Sequence, residues 1–358
     1  MTRIEHTRPL QLLRHSDEPR FGGKSTGLGE LIAGGISVPP GFGVSTDAFE
    51  EFVTDAGLRQ TIERAIASIE DGNIDSLEAA SSTIGEAMHL APVSDDVVAA
   101  VTRSYAELAD AVGEAEPAVA VRSSARGEDS EDATFAGQQD TFLWVRGARE
   151  ICDKLRSCWM SLYSPPAISY RARLEPDRRG ASMGVAVQLM VDAVTAGVMF
   201  TCNPISGDPS VVAVNASWGL GLAVVGGEVT PDDYLVSKVT GEVVREQLAR
   251  KNIQYVVDPT GRGAVAVQVA EDLREERCLG SDELAALLAV ARRVEGYFGS
   301  HQDIEWAIAR GGDGAERLFV VQSRPVTGLS HGAEPAQPLS AMALVMGTFG
   351  AAPKPQGG

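Results

Sequence analysis

A chain of 358 residues has room for one large domain or two to three ordinary ones, and its 44% hydrophobic content supports a sizeable core. The net charge of −18 argues against a nucleic-acid backbone or an anionic membrane surface as the main partner, but not against a nucleotide held in a local basic pocket. No signal-peptide pattern, no apolar run of membrane-spanning length and no CxxC pair among Cys152, Cys158, Cys202 and Cys278 is visible, so a soluble, cytoplasmic protein with reduced packing thiols is expected.

In chain order, a short helix is expected around residues 10–13. Next comes Phe21-Gly22-Gly23-Lys24-Ser25-Thr26-Gly27-Leu28-Gly29-Glu30, read as a glycine loop feeding a helix, and then a Pro39-Pro40-Gly41 turn into a short strand. The loop is not a Walker A motif. That motif needs glycine five residues before Gly23, where Glu18 stands, and no hydrophobic strand leads in. A glycine turn carrying a lysine into a helix N-terminus still suits an anion, and an ordinary turn with an exposed lysine fits equally.

Thr46 is placed to cap a helix with Phe49, Phe52 and Val53 on its apolar face. Two or three amphipathic helices fill 58–112, with Val97, Val98, Val101, Tyr105 and Leu108 as a core stripe. A strand at 117–121 delivers Arg122-Ser123-Ser124-Ala125-Arg126, and a polar loop at 127–137 leads to a second strand ending Thr141-Phe142-Leu143-Trp144-Val145. Such a loop is either solvated or a lid over a ligand, to which Arg122 and Arg126 would lend phosphate contacts.

A helix with Ile151, Leu155, Cys158, Trp159 and Leu162 on one face ends near Ser164. The apolar runs 183–191 and 194–201 read as a strand pair, followed by strands at 211–215, near 235–239 and at 254–257, and by a helix over 282–297 capped by Ser281. The helix-rich part gives way to the strand-rich part near 180–186. After Val326 the chain is rich in Gly, Ala and Pro.

The runs Asp303-Ile304-Glu305-Trp306-Ala307-Ile308-Ala309 and Leu318-Phe319-Val320-Val321-Gln322-Ser323-Arg324 alternate with period two on either side of an Asp313-Gly314 turn signal. With those two residues central, Ala309 faces Leu318, Ala307 faces Val320, Glu305 faces Gln322 and Asp303 faces Arg324. One sheet face then collects Ile304, Trp306, Ile308, Phe319, Val321 and Ser323, and the other gathers two carboxylates, an amide and a guanidinium. Those groups suit a magnesium-bound polyphosphate, or a plain surface hairpin with a cross-strand Asp–Arg pair.

Taken together, ordered blocks over about residues 20–327 resemble the ATP-binding part of the phosphoenolpyruvate synthase, pyruvate phosphate dikinase and rifampin phosphotransferase family. They are Gly22-Gly23-Lys24 with Leu28-Gly29-Glu30, Val38-Pro39 with Gly41-Phe42, Ala120-Val121-Arg122-Ser123-Ser124-Ala125, Phe135-Ala136-Gly137-Gln138, Gly197-Val198-Met199-Phe200-Thr201, Asn203-Pro204, Gly226 with Thr230-Pro231-Asp232, Asp303-Ile304-Glu305-Trp306, and Gln322-Ser323-Arg324-Pro325.

The resemblance implies an α+β ATP-grasp fold, two lobes with the nucleotide between them. The helix-rich lobe would span 1–183 and the strand-rich lobe 184–327, followed by a flexible tail at 328–358. By the same analogy, Lys24 and Arg122 contact phosphates, Thr141 joins the nucleotide contacts, and Gln188, Met190 and Val191 border adenine. Glu305 and Gln322 hold Mg2+, and Arg324 with Asp303 grips the transferred phosphates.

Relatives phosphorylate a histidine in a Gly-Gly-x-x-Ser-His setting, and none of His6, His15, His89, His301 and His331 has it. Leu222 also departs from the family, which commonly carries Glu after Gly-Leu-Gly. The expectation is therefore a stand-alone subunit like that of phenylphosphate synthase. It would use Mg-ATP to phosphorylate a separate histidine-domain phosphocarrier protein that serves a small-molecule acceptor, with AMP and phosphate as products. A direct small-molecule kinase, an ATP domain excised from a longer synthase, and a non-catalytic ATP sensor stay open as alternatives.

Overall fold

The computed structural model describes residues 4–70, 72–125, 141–172, 182–311 and 315–326. The chain mixes helix and sheet. Its first elements are β1 (Thr7–Pro9), α1 (Glu18–Phe21), α2 (Gly23–Ala33), β2 (Gly41–Val44), α3 (Thr46–Asp55), α4 (Arg59–Ala67), α5 (Ile74–Leu90), α6 (Asp95–Val112), β3 (Val119–Ala125), β4 (Thr141–Val145), α7 (Ala148–Ser161), α8 (Pro165–Ala172) and β5 (Met183–Leu189). Then come β6 (Ala193–Phe200), β7 (Val211–Trp218), α9 (Leu222–Val225), β8 (Asp232–Ser237), β9 (Val243–Gln247), β10 (Ile253–Val257), β11 (Ala264–Gln268), α10 (Ser281–Phe298), β12 (Gln302–Arg310) and β13 (Glu316–Pro325). The described residues pack as two units, one of 4–29, 40–70, 72–125, 141–172 and 182–190, the other of 30–39, 191–311 and 315–326.

The first unit holds a five-stranded antiparallel sheet in the order β1-β2-β5-β3-β4. Its apolar face, including Phe42, Val44, Val119, Val121, Val185 and Val187, joins the core built by α3 to α8. There Trp159 is fully buried, stacked on Phe52 at 5.1 Å and tilted against Phe49 at 6.0 Å. The helices end where local chemistry supplies partners for their orphan backbone groups. Ser94 Oγ accepts from Val97 N at the start of α6, and Gly113 closes it in the left-handed region at φ +73°. Thr46 is the first helical residue of α3 rather than its cap. Ser45 holds the cap position, without a side-chain cap bond.

The second unit holds a six-stranded antiparallel sheet ordered β13-β12-β6-β7-β8-β9, and a separate ribbon, β10-β11. The apolar stripe of α10 (Leu284, Leu287, Leu288, Ala291, Val294) is buried, and Glu283 Oε2 accepts from Gly280 N at 2.8 Å at its start. Ser281 is thus the first helical residue and Gly280 the cap position.

Two further sequence expectations change. The runs expected to pair, β5 and β6, belong to different sheets: β5 lies between β2 and β3, and β6 between β12 and β7. Adjacent apolar β-branched runs carry no information about which neighbour each strand chooses. The expected boundary at 183/184 falls at the start of β5. The polar loop with Arg126, the hairpin tip at 312–314 and the tail expected to be flexible lie outside the described residues.

The second change is the hairpin register. At one end Asp303 faces Arg324 and Glu305 faces Gln322, as the pattern predicts. Toward the tip Trp306 faces Val320, Ala307 faces Phe319, Ile308 faces Leu318 and Ala309 faces Arg317, with a bulge after Glu305 that leaves Val321 as the extra residue. The apolar face therefore takes Leu318 and Val320 instead of Phe319 and Val321, and Val320 is 1% exposed. The expected two-residue turn ignored this: Gly311 N donates to Ala315 O at 2.8 Å, enclosing three residues, and the bulge restores the register.

Candidate functional site

In the first unit, directly opposed residues put Gly41, Gly43, Ala120, Arg122, Ser124, Thr141, Gly184, Ala186 and Gln188 on the sheet face opposite the helical core. It is lined mainly by small residues, so backbone from α1 and α2 approaches closely. A Cβ on Gly22, at φ +75°, would meet Ser124 O at 1.9 Å, and one on Gly184 would meet Phe21 O at 2.5 Å. Ser124 Oγ donates to Phe21 O at 2.9 Å and accepts from Ser25 N at 3.1 Å. This seats the first turn of α2 on the sheet, and Lys24, 9% exposed, donates through Nζ to Ser123 O at 3.1 Å.

Arg122 stands opposite Ala186 on one side and Thr141 on the other, Thr141 being exposed. Gln188 is 2% exposed, opposite Gly41 and Ala120, and its Nε2 has no hydrogen-bond partner. A buried amide donor left in this state requires an acceptor. Lys24, Arg122, Thr141 and Gln188 are thus assembled around one sheet face. Just past Gln188, Leu189 N and Met190 N donate to Pro40 O and Ala118 O; Met190, the last residue of the first unit, and Val191, which begins the next segment of the second, are half-buried.

In the second unit, β12 and β13 bring Asp303, Glu305, Gln322 and Arg324 onto one face. Arg324 donates through Nε (2.9 Å) and Nη2 (2.8 Å) to Asp303 Oδ2. Burial pushes the Asp303 carboxyl up, Arg324 pulls it down, and the Glu305 charge adds to the upward push. The strand ends are locked by Gln302, 1% exposed: its N donates to Thr201 Oγ1 at 2.8 Å, and its Oε1 accepts from Ser323 Oγ at 3.0 Å. Among the described residues no cluster of three His, Cys, Asp or Glu could hold a metal ion by itself. Glu305 and Gln322, opposed across the ladder, supply two hard oxygens, and Mg2+ commonly takes one or two protein ligands with phosphate oxygens completing its shell. The donor set fits that ion.

The sequence reading missed Asn215. It lies in the cross-sheet row Gln322–Glu305–Val198–Asn215–Asp233, so it shares the face of Glu305. It is 4% exposed and donates through Nδ2 to Asp233 Oδ2 at 3.2 Å, while Arg245 holds Asp233 Oδ1 at 2.6 Å. An amide directly after the apolar run 211–214 was the available signal. Val198, Phe200 and Ala213 on this face are covered by Ala223, Val224 and Val229.

The four cysteines are free and buried, as their spacing suggested, and burial pushes the Cys152 and Cys202 thiols up to about 11. No described helix is long and apolar enough to cross a membrane.

Comparison with known proteins agrees with the motif reading. The chain is 40% identical over 332 residues to a probable phosphoenolpyruvate synthase of Methanothermobacter thermautotrophicus, covering 93% of this chain and 47% of the relative. It is 38% identical to a probable phosphoenolpyruvate synthase of Methanocaldococcus jannaschii (90% and 27%) and 35% identical to the phosphoenolpyruvate synthase of Pyrococcus furiosus (95% and 46%). The chain thus spans about half or less of the length of these relatives. The crystal structure of D-cycloserine synthetase DcsG aligns with 64% of this chain and 53% of its own at 14% identity and a TM-score of 0.24, too slight a likeness to carry an argument. Residues 18–342 match the family described as pyruvate phosphate dikinase, AMP/ATP-binding domain. The chain belongs to that family.

Proposed function

We propose that this chain is the ATP-binding catalytic part of a phosphotransferase: it binds Mg-ATP and phosphorylates a histidine on a separate carrier protein, which passes phosphate to a small acceptor, while water takes the other phosphoryl group as inorganic phosphate and AMP is left. The observation that carries the reading is the β12–β13 register, which sets Asp303, Glu305, Gln322 and Arg324 side by side. The ATP-grasp arrangement of two lobes around a nucleotide, and a cytoplasmic location, belong to the same proposal.

In this reading Gln188 offers its unpartnered amide N–H to a ring acceptor of the purine, with Met190 and Val191 against the ring and Thr141 at the nucleotide. Lys24 and Arg122 neutralise phosphate charge, and Arg324, oriented by Asp303, presents a guanidinium fork to the phosphates in transfer. Glu305 and Gln322 would hold Mg2+, which when bound shields phosphate charge. Phosphoryl transfer depends mainly on positioning and charge stabilisation, so the site needs no general base of its own.

None of the five histidines lies in a Gly-Gly-x-x-Ser-His sequence, so the proposed acceptor histidine is placed outside residues 1–358. The test is incubation of the purified chain with Mg-ATP, alone and with a candidate histidine-domain protein, resolving AMP from ADP. AMP formed only with the carrier supports the proposal. ADP formed with a small acceptor alone shows a direct kinase, and no turnover under any condition shows a sensor.

A further inference from the structure

The helical part of the first unit buries a cation that no carboxylate matches. Arg171, in the last turn of α8, is 8% exposed and makes no hydrogen bond or ion pair among the described residues. Its Nη1 is enclosed without a partner, while Nε and Nη2, which are not enclosed, have none either. Burial holds the guanidinium below its usual range, and among the described residues no carboxylate opposes that pull. The guanidinium carbon lies 5.5 Å from the ring centroid of Tyr163, which precedes α8. Helical side chains lean toward the N-terminus, so Arg171 reaches back along α8 and sets its charge at the end that already carries positive partial charge. An unpaired guanidinium at a helix N-terminus is unfavourable twice over, and an anion relieves both terms.

Two hydroxyls at the same end are idle. Tyr163 is 5% exposed, and its hydroxyl makes no hydrogen bond among the described residues. Burial pushes the phenol up to about 12, with the Arg171 charge pulling it down, so it stays a donor. Ile168 N donates to Ser164 O at 2.9 Å, which makes Ser164 the residue that opens α8, and Ser164 Oγ is buried without a partner. Pro165 and Pro166 follow and supply no N–H, so side chains provide the donors here. The charges that face Tyr163 from α3 and α4, Glu50 and Arg59, are paired with each other at 2.9 Å and add no net charge.

We propose that Arg171, Tyr163 and Ser164 form a binding site for a tetrahedral oxyanion of the phosphate class. A guanidinium fork and two hydroxyls offer donors that do not share one plane, and a tetrahedral anion has oxygens to receive them. A cation would be repelled by Arg171, and a neutral ligand would leave its charge uncompensated. The site uses none of Lys24, Arg122 and Arg324 and does not depend on the nucleotide reading.

The test is calorimetric titration of the full chain with inorganic phosphate at constant ionic strength, with acetate as the planar control. Phosphate should bind saturably and at least about tenfold more tightly than acetate. Arg171→Met should weaken that binding at least about tenfold and Tyr163→Phe several-fold, while Lys24→Ala should leave it unchanged. Phosphate should also raise the urea midpoint of the wild-type chain but not that of Arg171→Met. In phosphate-free buffer Arg171→Met should be no less stable than wild type, since it replaces an uncompensated buried charge by an apolar side chain. Absence of saturable phosphate binding, equal binding of acetate, or affinity indifferent to Arg171→Met would overturn the proposal. So would a loss of stability in Arg171→Met without phosphate, which would mean that the fold itself satisfies Arg171.

Discussion

Among the described residues of the second unit, the carboxylate–cation pairs Asp232–Lys251 and Asp303–Arg324 are built differently. Asp232 and Lys251 are both 0% exposed, and Asp232 uses both oxygens. Oδ1 accepts from Lys251 Nζ (2.6 Å) and Ala249 N (2.9 Å), and Oδ2 from Cys278 N (3.1 Å), Cys278 Sγ (3.0 Å) and Tyr234 OH (3.4 Å). Burial first and the Asp232 charge second push the Cys278 and Tyr234 groups well up, so both remain protonated donors. Asp303 and Arg324 are 8% and 13% exposed, and both guanidinium bonds go to Oδ2. The first pair ties β8 to the segments around Ala249 and Cys278. The second sits at the open end of a polar face with Glu305 beside it. A saturated hub fastens the chain, whereas the second pair, joined through one carboxylate oxygen with Glu305 beside it, is the one to which the proposed phosphate role is assigned.

Breaking the hub should have the largest effect on stability. Lys251→Ala leaves Asp232 buried and uncompensated and should cost about 3–5 kcal/mol, read from urea unfolding. Trp306→Ala, truncating a side chain 1% exposed, should cost a similar ~3–5 kcal/mol. At the polar face the balance reverses. Glu305→Ala or Arg324→Lys should lower AMP formation roughly 100- to 1,000-fold, with unfolding shifted by less than about 1 kcal/mol. Wild-type turnover in either variant would remove the metal and phosphate roles, while a large loss of stability would make the two pairs alike.

The smallest effect is on pH dependence. Burial holds the folded Asp303 pKa above its unfolded value near ~4, against the pull of Arg324 and with Glu305 adding to the rise. Between those values the native state binds more protons than the unfolded state. The contribution of Asp303 to stability is therefore complete below about pH 4 and lost as pH rises through the folded pKa. Asp303→Asn should flatten that limb of the unfolding free energy. An unchanged limb would mean that Arg324 dominates.

Much of the candidate site was legible because β periodicity is strict. A one-residue slip would have turned Glu305 or Gln322 into the core, so alternation together with the supposed Asp313-Gly314 turn paired Asp303 with Arg324 and Glu305 with Gln322, a pairing the bulge preserves. The same reasoning failed toward the tip, since a bulge inserts one residue without any compositional mark at Val321. Amphipathic stripes foretold α6, where Val97, Val101, Tyr105 and Leu108 are buried. That Asn215 shares the face of Glu305 was not legible, because the row between them is built from strands far apart in the chain.

By itself the sequence determined the family, through ordered motifs, and the local pairing of the hairpin, through a period of two. Only the tertiary structure decided that β5 and β6, adjacent in the chain, enter different sheets. It also decided that Ser123 and Ser124, a hundred residues away, receive Lys24 and the backbone of Ser25. Local sequence sets dihedral preference and which face of an element is apolar. Which surfaces then meet is settled by the packing of the whole chain, where a glycine's missing Cβ or a buried carboxylate's donors come from wherever the fold brings them.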